Sequence, residues 1–238
     1  MHVEVVGQGP RLMLVHGSVG FGMDVWAGQR RLAEQFTLVV PTRSGYPPNP
    51  PLERIDFEDQ APELADILEP GDHLVGHSYG GVVSLLAAGL RPELLRSLTV
   101  LEPPAFGVAL GDPAVQEFLA AFEPDYPRDP RGYLELFLPL VGSAIRIPDP
   151  LPPPLEAGAR AAIAERFPNE AEIPFDVLRP APFPKLVVSG AHHPAFDAVC
   201  DVLERELGAE RAVVRGAGHP IARAPGFNDV LLEFVESA

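Results

Sequence analysis

The sequence contains a single cysteine, Cys200, so no internal disulfide can form and a reducing, cytoplasmic setting is expected. Basic residues are scarce: 18 lysines and arginines face 33 acidic residues, for a formal charge of −15. That balance argues against nucleic acid or an anionic membrane surface as a partner and is read as a solubility feature. No apolar run approaches the length of a membrane span. The N-terminus lacks a basic segment followed by a long apolar stretch, so no signal peptide is expected. Internal repeats are absent, and the only compositional bias is in the proline-rich loops.

What is present is a regular alternation of short apolar strands and amphipathic helices. A chain of 238 residues with this pattern fits one large α/β unit. Strands are read at His2–Val6, Leu12–Val15, Phe36–Val40, His73–Gly76, Leu98–Leu101, Leu186–Val188 and Ala212–Val214. Continuous apolar runs such as Leu12-Met13-Leu14-Val15 indicate strands buried on both faces. Between them, helices are read after a cap at Asp24, over Asp56–Leu68, from Val82 to Leu90, around Phe196–Leu207 and from about Gly226 to Val235. Seven strands alternating with helices predict a mostly parallel, doubly wound sheet.

The alternation breaks between Ala105 and Pro184, where prolines are frequent and no strand pattern is visible. Helical stretches are read at Val115–Phe122, Tyr133–Leu140 and Ala157–Phe167, with Pro148–Pro154 as a stiff connector. The expected organisation is a sheet domain of residues 1–104 and 185–238 carrying a helical cap of residues 105–184. Of the cap aromatics Phe118, Phe122, Tyr126, Tyr133 and Phe137, most are expected in a small satellite core, with one or two lining a pocket.

The stretch Leu74-Val75-Gly76-His77-Ser78-Tyr79-Gly80-Gly81 reads as a strand, a sharp turn and the start of a helix. Gly76 and Gly80 stand two residues either side of Ser78, where a tight turn has no room for a Cβ. Such a turn lifts the serine hydroxyl above the sheet edge, beside the unpaired N–H groups of a helix N-terminus. This Gly-x-Ser-x-Gly elbow resembles that of the α/β-hydrolase family. Two other segments match the same family in the same order. His16-Gly17-Ser18-Val19-Gly20 is similar to its oxyanion loop, and Gly216-Ala217-Gly218-His219 follows the last strand, where the family carries its base.

The resemblance implies Ser78 as nucleophile and His219 as base, with the backbone N–H groups of Ser18 and Tyr79 as oxyanion donors and Val19 as an alternative to Ser18. The third triad member departs from the pattern. The family's usual acid lies just past the strand ending at Ser189-Gly190, and that place holds His193, which cannot do a carboxylate's work. Glu102, at the end of the strand after the elbow helix, is the favoured acid. Asp197 is the alternative, and a site with no acid is the third possibility. Pro41-Thr42-Arg43-Ser44-Gly45 stands where many members carry Asp-x-Arg-Gly, a change expected to bear on stability.

The other histidines are assigned structural roles: His16 as a hydrogen-bonding group, and His77 and His73 as packed residues. His192 and His193 form no metal site in this reading, because no carboxylate or cysteine at ligand spacing accompanies them. Cys200 reads as a core residue. No cofactor is expected. The expected function is hydrolysis of a small ester, thioester or lactone through an acyl-serine intermediate. A non-catalytic ligand-binding protein on this fold, and a carbon–carbon bond hydrolase or perhydrolase using the same residues, are the alternatives. Serine at the elbow argues against the dehalogenase and epoxide hydrolase branches, which use aspartate there. Oligomeric state and acyl preference have no signature in the sequence.

Overall fold

The structure is a computed structural model and describes residues 1–121, 128–143 and 146–238. Phe122 and Tyr126 lie outside the described residues. Seven strands form one sheet: β1 His2–Gly7, β2 Arg11–Val15, β3 Thr37–Thr42, β4 Asp72–His77, β5 Leu95–Leu101, β6 Lys185–Ser189 and β7 Glu210–Val213. Their order is β1-β3-β2-β4-β5-β6-β7. β1 pairs antiparallel with β3, and every other pairing is parallel. The mostly parallel, doubly wound sheet expected from the strand–helix alternation is therefore present.

Alternate side chains of each central strand enter different cores. Met13, Val15, Leu74 and Val187 face one layer, with α1 (Phe57–Ala65), α2 (Tyr79–Leu90) and α7 (Pro194–Leu207) packed there. Leu12, Leu14, Val75, Leu186 and Val188 face the other, beneath Trp26, Leu32 and the final helix α8 (Phe227–Ser237). This two-sided burial explains why the strands read as unbroken apolar runs. Asp56 caps α1 by accepting the Glu58 N–H, as the Asp56 start implied.

One helix differs from expectation. Asp24 does not cap an α-helix; it ends a single 3₁₀ turn, Gly22–Asp24, and a 3₁₀ run follows over Ala27–Glu34. Only Gln29 and Leu32 of that run are buried, a spacing of three that matches the 3₁₀ repeat. Gly28 further weakens the α-helical alternative.

Between β5 and β6 the described chain carries α3 (Pro113–Ala120), α4 (Pro130–Leu140), α5 (Pro153–Ile163) and a short α6 (Phe175–Leu178). α5 begins four residues earlier than the pattern suggested, because Pro153 and Pro154 occupy its first turn, where a missing N–H costs nothing. α4 and α5 enclose a small core of Tyr133, Leu134, Leu138, Ala159 and Ala162, and Val19 of the β2 loop completes it.

Candidate active site

All parallel strands end at one edge, and the loops that follow β2, β4, β5, β6 and β7 meet there. The elbow is sterically dictated. Ser78 adopts φ 54° and ψ −127°, a conformation L residues avoid. A Cβ on Gly76 would lie 2.4 Å from Ser84 Oγ, and one on Gly80 would lie 2.2 Å from the His16 carbonyl oxygen. Val19, Glu102 and Ala191 also take positive φ (68°, 42° and 50°), each in a loop at this same edge.

Three side chains form a continuous hydrogen-bonded row. Ser78 Oγ lies 2.8 Å from His219 Nε2, and His219 Nδ1 lies 2.8 Å from Glu102 Oε2. The carboxylate fixes the tautomer: Nδ1–H donates to Glu102, which leaves Nε2 to accept the serine proton. His77 Nε2–H donates to the His219 carbonyl at 2.8 Å, and the two rings meet at a tilt of 44° with centroids 4.8 Å apart. Burial, then the proximity of His219, lowers the His77 pKa to about 3, so this support is a neutral group.

Glu102 is buried at the end of β5 and accepts two further hydrogen bonds. Gly190 N–H reaches Oε1 at 2.7 Å and His192 Nδ1 at 3.2 Å. Burial alone would raise its pKa; the hydrogen bonds from His192 and His219 outweigh burial and hold the carboxyl at about 2. A group depressed in this way stabilises the fold fully above its ordinary value of 4.5 and loses that contribution as pH falls toward 2. Urea unfolding at a series of pH values checks this. The native protein should lose stability over that window more steeply than Glu102→Gln, which has no such proton to take up.

Asp197, the alternative acid, is engaged elsewhere. It sits in the first turn of α7 and faces Arg211 at 3.5 Å, together with Asp201 and Glu204. His193 caps α7, its Nδ1 accepting the Ala195 N–H. His73 bonds Ser97 Oγ at 2.7 Å within the sheet. Cys200 is buried, and burial pushes its thiol pKa up.

The histidine pair needs a correction. A carboxylate does accompany His192, supplied by Glu102 from 90 residues away in the chain. Donor atoms of Glu102, His192 and His219 lie within 4.8 Å of one another. Proximity in space, invisible in the local spacing, brings them together, and their mutual hydrogen bonds account for the arrangement.

The β2 loop is held by a buried network. His16 Nε2 accepts the Arg43 N–H at 3.0 Å, so Nδ1 carries the proton and donates to the Gly17 carbonyl at 2.8 Å. Arg43 Nη2 donates to the same carbonyl at 2.8 Å and its Nε to the His16 carbonyl at 3.0 Å. In a trans peptide C=O and N–H point in opposite directions. Anchoring the Gly17 oxygen therefore turns the Ser18 N–H away from Arg43. Among the described residues, the N–H groups of Ser18 and Tyr79 donate to no backbone or side-chain acceptor, whereas Val19 N–H reaches the Tyr46 hydroxyl at 3.4 Å. Ser18 is thereby the better candidate donor of the two. Arg43, in the stretch expected to bear on stability, thus holds the loop that carries Ser18.

Two cavities meet at Ser78. The larger, about 490 Å³, is lined by Ser18, Ser78, Tyr79 and His219 and by aromatic residues including Phe106, Phe118, Tyr133, Phe137 and Phe196. The second, about 270 Å³, shares Ser18, Ser78, Phe137, Val141 and His219, and extends past Val25, Leu138 and Leu155. Three of the singled-out aromatics, Phe118, Tyr133 and Phe137, line a cavity, more than the one or two expected; Phe118 and Tyr133 are also buried. Glu165 and Tyr46 carried no recognised signal in the sequence, and His192 stood out only as half of a histidine pair, not as a partner of Glu102. The nearest hint was Arg43, shortly after the apolar run Leu38–Val40, since a buried cation needs a carboxylate partner.

The match to the Alpha/beta hydrolase family covers residues 12–228, and the chain belongs to that family. Within it, the chain is 38% identical over 110 residues to a pimeloyl-[acyl-carrier protein] methyl ester esterase of Aeromonas salmonicida, covering 44% of this chain and 42% of that protein. It is 30% identical over 155 residues to the protein of the same name from Xanthomonas campestris pv. campestris, covering 60% of this chain and 58% of the relative. The matched segments thus span about half the length of these curated relatives. Similar folds include an alpha/beta hydrolase from Sphaerobacter thermophilus (TM-score 0.66, 24% identity, 98% of this chain and 95% of that one). Carboxylesterase CesB from Bacillus subtilis is another (TM-score 0.68, 20% identity, 100% and 88%).

Proposed function

We propose that the chain is a serine hydrolase that cleaves a small ester, thioester or lactone. The observation that carries this reading is the row Ser78–His219–Glu102, with both links at 2.8 Å, opening on a cavity of about 490 Å³. The names of the curated relatives, which are esterases, support it.

In this reading His219 Nε2 takes the Ser78 proton as Oγ attacks the acyl carbon. The carbonyl oxygen becomes an oxyanion held by the N–H groups of Ser18 and Tyr79. The tetrahedral intermediate collapses, the carbon–oxygen or carbon–sulfur bond breaks, and His219 returns the proton to the leaving group. Water, deprotonated by the same base, then attacks the acyl-serine, and the acid departs as Ser78 regains its proton. Glu102 holds the His219 tautomer and offsets the positive charge that develops on the ring. The relocated acid is complete in its geometry, which favours catalysis over the ligand-binding alternative.

The aromatic cavity suits an apolar acyl group, and its volume lies within the range of about 300–1,000 Å³ typical of small-molecule sites. The second cavity provides room for a leaving group larger than methyl. Residues 105–184 act as the cap that shapes both. The single cysteine supports a cytoplasmic setting.

The test uses the native protein, a fluorophosphonate probe and p-nitrophenyl esters from acetate through decanoate. Covalent labelling of Ser78, found by peptide mass mapping, and turnover that peaks at a middle chain length are expected. A protein that is neither labelled nor active on any of these esters would overturn the enzymatic reading in favour of a ligand-binding one.

A further inference from the structure

Ser18 does more than present a backbone N–H. Its hydroxyl donates to Glu165 Oε2 at 2.5 Å. The other oxygen of the same carboxylate accepts from Arg43 Nη2 at 2.5 Å and from the Tyr46 hydroxyl at 2.8 Å. Glu165 follows α5, in the segment between β5 and β6, 147 residues away from Ser18 in the chain. Its carboxylate is almost wholly buried, and the Arg43 guanidinium entirely so.

The backbone beside Glu165 is fastened to the sheet domain as well. Ile55 N–H donates to the Ala164 carbonyl at 2.8 Å and Arg166 N–H to the Ile55 carbonyl at 2.7 Å. Glu165 is thus held on both sides by backbone bonds while its carboxylate grips the β2 loop. Charge complementarity does the rest. Arg43 anchors the Gly17 oxygen, and Glu165 is the counter-charge that keeps that buried cation in place.

We infer that Glu165 is a positioning residue, contributed by the inserted segment, that sets the aim of the Ser18 N–H through the Ser18 hydroxyl and Arg43. The oxyanion donor is thereby coupled to the cap. The inference rests on the proposal that Ser78 is the nucleophile and Ser18 an oxyanion donor. It adds that the cap controls the chemical step as well as the shape of the cavity.

Glu165→Ala strands the Arg43 charge and threatens folding, so the test uses Glu165→Gln and Ser18→Ala. Active sites are titrated to completion with fluorophosphonate, and kcat is expressed per titrated site. For each variant kcat should fall by about 10- to 100-fold, less than for outright loss of a donor. KM should stay within about twofold, because the lost interaction belongs to the transition state. Affinity for a trifluoromethyl ketone, which forms the oxyanion on Ser78, should fall by the same factor as kcat/KM. The double variant should be little worse than the poorer single one.

Unchanged kcat per titrated site, with only a lower folded fraction, would reduce Glu165 to a stabilising contact and overturn the inference. A raised KM at constant kcat would do the same, by making Glu165 a substrate contact. Failure of the native protein to label or turn over is a separate result, and it strikes the Ser78 proposal instead.

Discussion

Replacing Ser78 with alanine is expected to lower kcat on a short-chain ester by about 10⁶-fold, the loss seen when an activated serine nucleophile is removed. At about 1.4 kcal/mol per factor of ten, that is roughly 8 kcal/mol of transition-state stabilisation. The attack of Oγ and the proton transfer to His219 both disappear, while the cavity and the N–H groups of Ser18 and Tyr79 remain. A residual rate about 10³–10⁴ above the uncatalysed reaction should therefore survive. Alanine takes the φ of 54° with the same Cβ as serine, so the fold should be unaffected. The check is steady-state kinetics beside fluorophosphonate labelling and a thermal melt. Activity within 100-fold of native in a cleanly folded, unlabelled variant would remove Ser78 from the mechanism.

The second large effect concerns the proposed acid. Glu102→Gln should lower kcat by about 10⁴-fold, the loss seen when a triad carboxylate becomes an amide. The carboxylate accepts from three donors at once: His219 Nδ1, Gly190 N–H and His192 Nδ1. An amide has one oxygen to offer. If that oxygen stays with Gly190 and His192, its NH₂ faces His219 Nδ1 and drives the proton to Nε2. The ring then presents a donor to Ser78 where an acceptor is needed. Asp197→Asn should leave kcat within about twofold of native, since Asp197 serves Arg211 on the outer face of α7. Kinetics of the two variants side by side decide the matter, and the reverse ranking would move the acid to Asp197.

Much of this site was legible from local sterics. Gly76 and Gly80 betray the elbow because any other residue there collides with Ser84 or with the His16 carbonyl. His219 was legible through the family resemblance, which places a base in the loop after the last strand, and a parallel sheet brings that loop to the edge that carries Ser78. Glu102 could be preferred over Asp197 for a related reason: a strand end points to that edge, whereas Asp197 shares a helix face with Asp201 and Glu204. What stayed hidden was contact across long stretches of chain. His192 meets Glu102 over 90 residues and Glu165 meets Ser18 over 147, and no periodicity encodes either. The 3₁₀ run at Ala27–Glu34 escaped for a different reason. Trp26, Leu32 and Ala33 marked a helix there, and only the burial of Gln29 and Leu32, visible in the structure, separates the 3₁₀ repeat from an α-helical one.

The position of Glu102 has a consequence for how the chain tolerates change. The proposed nucleophile Ser78, both candidate oxyanion donors and the proposed acid Glu102 all lie before the long connection that leaves β5, and only the proposed base, His219, comes after it. Ser78 and Glu102 are spaced by one helix and one parallel strand pair, in register from His73 to His77. Lengthening or shortening the connection therefore moves neither relative to the other, and the entropic cost of a longer loop grows only slowly with its length. The loop after β6 carries no acid in this arrangement and instead supplies two donors to Glu102, Gly190 N–H and His192 Nδ1. Insertions and deletions between β5 and β6 that keep Glu165 against Ser18 and Arg43 can thus reshape the cavity while the Ser78–Glu102 spacing stays constant, which leaves the rest of that stretch open to diversification by loop exchange.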